Sequence, residues 1–188
     1  MTPGAPATLD RAGIAARVPH RGRMCLLDRL LGWDALAIEC TAAGHADPAH
    51  PLRTDSGLLA LVAIEYAAQA MALQGALIGA AAAPAPPAPG YLASVRGVCL
   101  AVVRLDDVPG ELRVRARRLA GDARQILYRF EVADAAGRPL ADGRATVVLD
   151  APLRAAPCEG GGVSGALGRS AVQDAAPPGA GAPPGRMP

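Results

Sequence analysis

The chain has no lysine. All nineteen of its basic residues are arginine, which together with abundant Ala, Gly and Pro reflects a GC-rich coding sequence and points to no function. Aromatic residues are equally scarce, one Phe, one Trp and three Tyr, too few to interleave with cations as a nucleic-acid surface. The net charge of +2 adds no global pull toward nucleic acid. Cys25, Cys40, Cys99 and Cys158 form no C-x-x-C pair and have no histidine at ligand spacing. Neither a zinc site nor a disulfide framework is expected, and a reduced, cytoplasmic setting fits best. The N-terminal stretch "MTPGAPATLDRAGIAARVPH" lacks the continuous apolar core of a secretory signal.

One long apolar run is present, Leu58 to Ala83. It contains Glu65, Gln69 and Gln74, owes much of its apolarity to Ala, and has no flanking basic cluster. A membrane span would place a carboxylate in the bilayer, so a helix buried against a sheet explains the run better. The 188 residues, about half of them apolar, suffice for one ordinary domain. Its expected limits are 16–150, with a flexible segment over 1–15 and a disordered Gly-, Pro- and Ala-rich tail over 151–188.

"APAPPAPG", residues 83–90, ends the helix, and period-two alternation follows. Ile126, Tyr128, Phe130 and Val132 share one strand face, as do Leu112, Val114 and Ala116 on another. "YLASVRGVCLAVVRL", "ELRVRARR", "ILYRFEV" and "PLADGRATVVL" read as four strands of an antiparallel meander, joined by the turns "DDVPG", "AGDA" and "DAAGR". One or two strands around a turn near Gly32 to Asp34 precede the helix. A helix apolar nearly all round requires a sheet curled about it. The expected fold class is therefore α+β, a hotdog fold with a long central helix wrapped by a curved antiparallel sheet. Its open edge and exposed helix end predict a dimer.

Two segments carry a resemblance. "VPHRGRMCLLDRLLGWD" is similar to the PHR-x-x-x-L-L-D-R opening of the bacterial 3-hydroxyacyl-acyl-carrier-protein dehydratases. "AIEYAAQAMALQGAL" resembles the branch associated with aryl polyene and related pathways, and the likeness spans roughly Ala16 to Asp150. It implies dehydration of (3R)-3-hydroxyacyl thioesters on acyl carrier protein, without metal or organic cofactor, by a homodimer or a heterodimer with a related hotdog subunit.

Such a reaction needs a base at C2 and an acid for the hydroxyl leaving C3. An apolar setting favours the neutral carboxyl, the form that can give up a proton. The resemblance assigns the acid to Glu65. His50 in "AHPLR" approximates the family's His-Phe-Pro-Gly segment, one residue farther from the acid and without the Phe and Gly. His45, directly after a strand-like stretch, is the alternative base. His20, in the PHR opening, reads as structural.

Gly57 and Gln69 are the candidate substrate-binding positions. Asp55 or Ser56 would cap the helix, so that free N–H groups near Gly57 could hold the thioester carbonyl. Arg113, Arg115 and Arg117, extended by Arg118, form a stripe able to steer an acidic carrier protein. The competing functions are a hotdog thioesterase and a non-catalytic hotdog subunit that partners an active homologue.

Overall fold

The computed structural model describes residues 8–82, 90–122 and 124–149. In chain order these form β1 (Leu9–Asp10), α1 (Arg11–Ala15), β2 (Arg29–Trp33), β3 (Ala37–Ala42), α2 (Ala63–Ala82), β4 (Gly90–Leu100), β5 (Leu112–Gly121), β6 (Gln125–Ala133) and β7 (Pro139–Leu149). The strands make one antiparallel sheet in the order β1-β2-β3-β5-β6-β7-β4. Helix α2 lies against β3, β5 and β6. This is the expected hotdog arrangement, a single long helix on a wide, unclosed antiparallel sheet.

Period-two alternation decides which strand faces meet the helix. Leu112, Val114 and Ala116 of β5 are buried, as are Ile126, Tyr128, Phe130 and Val132 of β6. Opposite them α2 buries Tyr66, Ala67, Ala70, Met71 and Leu73. The three hairpins are each closed by an aspartate that accepts backbone N–H groups ahead of it: Asp34 from Leu36 and Ala37, Asp122 from Arg124 and Gln125, Asp134 from Ala136 and Arg138.

Three expectations are corrected. The four strands after the helix do not form a consecutive meander, because β4 leaves β5 and pairs with β7 at the far edge. "DDVPG" is therefore no hairpin turn. Residues 103–105 instead pair with the segment entering the helix: Ala60 N–H donates to the Val103 carbonyl, and Leu105 N–H to that of Leu58. Leu105 and Val108 are buried there, which holds the connection under the start of α2.

That pairing also delays the helix, whose regular turns begin at Ala63 after a 3-10 turn over Ala60–Val62. Leu59 occupies the cap position with no side-chain bond, so neither Asp55 nor Ser56 caps it.

The flexible segment expected over 1–15 is ordered from Leu9. That residue pairs with Leu30, Asp10 accepts the Gly13 N–H, and Ile14 is fully buried. The tail 151–188 lies outside the described residues.

One stripe of α2 stays open. Leu61 is exposed, and Ile64, Glu65, Ala68, Ala72, Gly75 and Ile78 are only half-buried. These positions recur at helical spacing, so they form one continuous face. Ala60–Ala81 is long and apolar enough to cross a bilayer, with a mean hydropathy of 1.4, but half of that stretch is buried within the chain.

Candidate active site

Glu65 sits in the first turn of α2 on the open stripe, its side chain 32% exposed. Two groups fix its Oε1: Gln69 Nε2 donates to it at 2.9 Å from one turn along, and His20 Nε2 lies 3.1 Å away. Among the described residues Oε2 has no hydrogen-bond partner. The carboxyl is thus anchored by one oxygen and presents the other.

Gln69 is wholly buried, and its amide is fully occupied. Besides Glu65 it donates to the Met24 carbonyl and accepts the Leu26 N–H. This candidate substrate-binding residue therefore acts inside the protein, tying the segment after the PHR motif to the helix and setting the Glu65 rotamer. Arg21 serves the same segment by donating to the carbonyls of Ala15 and Val18 at the end of α1. The PHR motif thus brings His20 onto Glu65 across 45 residues, a contact that sequence reasoning missed because nothing local announces it.

The two histidines named as candidate bases point elsewhere. His45, in the 3-10 turn Gly44–Ala46, is 1% exposed, with Nε2 2.9 Å from the Val108 carbonyl. A carbonyl only accepts, so Nε2 carries the proton and the buried Nδ1 is left without a partner. His50 receives the Leu52 N–H on Nδ1 at 3.2 Å. Its proton is therefore on Nε2, which lies 3.1 Å from the Tyr66 hydroxyl. Burial pushes the His50 pKa below its usual value, only partly countered by Asp47. The ring borders a cavity of about 80 Å³ shared with Arg23, Cys25 and Tyr66. No hydrogen bond or ion pair joins His50 or His45 to Glu65 among the described residues.

Gly57 has φ +97°, and its N–H donates to the Thr54 carbonyl at 2.9 Å. That donor is consumed within a tight turn and is closed to a thioester oxygen. The next donor, Leu58 N–H, goes to Asp106. Asp106 is nearly buried and also receives Arg104 and Arg53, and the hydrogen bond from Arg104 in particular pulls its pKa down to about 2. The entrance to α2 is thus a closed ionic clamp.

In the arginine stripe, Arg113 and Arg115 both pair with Glu39, and Arg115 also with Glu131. Arg117 has no ion pair among the described residues. Cys25 and Cys40 are buried, with the Cys40 thiol pushed up to about 12 by burial. Among the described residues no group of three His, Cys, Asp or Glu side chains could hold a metal ion.

A family model for ApeP-like proteins, described as ApeP dehydratase, matches residues 12–155. Among solved structures, a chain of the ApeI:P dehydratase heterocomplex from Xenorhabdus doucetiae superposes with a TM-score of 0.64 at 21% identity, covering 72% of this chain and 90% of that one. The C46A variant of the HP0420 homologue from Helicobacter felis gives a TM-score of 0.52 at 13% identity, over 77% and 89% of the two chains. Likeness at such identities establishes the fold. No individually curated protein matches the chain.

Proposed function

Since this chain belongs to the ApeP-like dehydratase family, we propose that it dehydrates (3R)-3-hydroxyacyl thioesters carried on acyl carrier protein to trans-2-enoyl thioesters, as one subunit of a paired hotdog enzyme. The observation that carries this reading is the placement of Glu65. With Oε1 held by two nitrogen contacts, Oε2 is the atom left open to pass a proton to the hydroxyl leaving C3. It does so on the one uncovered stripe of the helix, where an acyl chain can lie.

The proton lost from C2 needs an imidazole with a free lone pair. Within this chain the His50 lone pair is occupied by Leu52 N–H, and the unpartnered Nδ1 atoms of His20 and His45 are both buried, so none of the three is open to substrate. A second copy would bring the same three rings in the same closed settings. The base therefore comes from a related hotdog subunit laid against the open stripe, and similarity to a chain of a dehydratase heterocomplex supports that pairing.

The test is turnover of 3-hydroxyacyl-carrier-protein thioesters followed by mass spectrometry. The chain alone should be nearly inactive, and its complex with a hotdog partner active in a Glu65-dependent way. Turnover by the chain alone that vanishes in His50→Ala would make His50 the base and a second copy the partner. Release of free acid in place of enoyl product would make the protein a thioesterase.

A further inference from the structure

The sheet face turned away from α2 carries an arrangement that the reaction does not use. Across β5, β6, β7 and β4, Arg117 stands opposite Arg129, Arg129 opposite Arg144, and Arg144 opposite Arg96. All four are exposed, and their strand neighbours Ala116, Phe130 and Ala145 are buried on the helix side. Directly opposed side chains of like charge on neighbouring strands destabilise a sheet. Here three such pairs occur in a single line.

The next row on the same face shows the contrast. There Glu39, Arg115, Glu131 and Asp142 follow one another across β3, β5, β6 and β7, and Arg115 bonds both glutamates. In the arginine row the one carboxylate within 4 Å among the described residues is Asp142, 3.8 Å from Arg129. The row ends at Ala37, which pairs with Arg117. There it meets a groove of about 500 Å³ whose arginines, Arg115, Arg117 and Arg129, are balanced by Asp34, Glu39 and Glu131, so the uncompensated charge lies in the row itself.

We propose that this arginine row is a docking surface for an acidic helix of a partner protein, on the opposite side of the sheet from Glu65. Three strand spacings give the row a length of roughly 14 Å. Carboxylates at i, i+3, i+7 and i+10 of a helix cover about 15 Å along one face, so each arginine meets one acid. Of the two aromatic residues at the groove, Phe130 is buried and Trp33 half-buried, which provides no stacking platform for single-stranded nucleic acid. An acidic helix also relieves the mutual repulsion of the row, so the surface gives up stability when empty and regains it when occupied.

The test uses the full chain and a labelled helical peptide bearing Glu at i, i+3, i+7 and i+10, read by fluorescence anisotropy. A control peptide has the same composition with its Glu residues spread around the helix. The patterned peptide should bind more tightly than the control, and the Kd should rise about tenfold or more in the Arg129→Gln/Arg144→Gln double variant, more steeply than in Arg113→Gln. The melting temperature of Arg144→Gln should equal or exceed that of the wild type, which separates a binding role from a structural one. The proposal is overturned if the double variant binds like the wild type, if both peptides bind alike, if Arg144→Gln melts lower, or if oligo-dT binds more tightly with the same arginine dependence.

Discussion

Gln69, fully buried one turn beyond Glu65 on α2, donates its Nε2 to the Glu65 carboxyl at 2.9 Å while its Oε1 accepts the Leu26 N–H. The helix carboxyl and the loop after the PHR motif are therefore positioned by the same amide. Any change at Gln69 moves both.

Gln69→Leu should be strongly destabilising. It leaves the buried Leu26 N–H and the Met24 carbonyl without partners, at about 1–3 kcal/mol for each unsatisfied group. Urea unfolding checks this, and a loss below about 0.5 kcal/mol would show that water replaces the amide.

Glu65→Gln should leave the fold intact and lower dehydration by roughly 10²- to 10⁴-fold in the active assembly, the usual range for a general acid. The amide keeps the shape and the contact with Gln69 but has no proton to deliver from Oε2. Unchanged turnover on every hydroxyacyl thioester would make the carboxyl structural.

His50 sets a pH dependence whose sign follows from its lowered pKa. At pH values well above about 6.5 the ring is neutral in both folded and unfolded chains and contributes no slope. As the pH falls below that value the unfolded chain takes up the proton first, so stability declines until the folded-state pKa is passed. NMR titration should place the His50 midpoint below the usual histidine value, and His50→Gln should flatten this part of the stability profile. A His50 midpoint at or above the usual value would contradict the burial argument.

Gly57→Ala should cost at least about 1 kcal/mol, because φ +97° suits glycine and an added Cβ would lie 2.5 Å from Arg104 Cζ. Adding Arg104→Ala removes the clash but not the backbone strain, and it breaks the Asp106 clamp. The double variant should therefore remain below the wild type in melting temperature.

Much of the fold was legible in the sequence because its causes are local. Alternation in "ILYRFEV" and "ELRVRARR" settles which face of β6 and β5 is buried, since a pleated strand can bury one set of alternate residues only as a set. The apolar run after Gly57 specifies a helix, and Glu65 stands out in it as the residue whose presence there demands a reason. The tertiary structure decided what depends on residues distant in the chain. β4 crosses to the β7 edge because Val103, Leu105 and Val108 serve the entrance to α2, where "DDVPG" alone reads as a turn. His20 reaches Glu65, and His50 turns to Tyr66, through packing over tens of residues that no spacing rule encodes. Gly57 looks like a free oxyanion donor until the Thr54 carbonyl claims its N–H. The line of Arg117, Arg129, Arg144 and Arg96 exists only once the strand register is fixed. That register is a collective outcome of the whole buried face, so it cannot be read from any one strand.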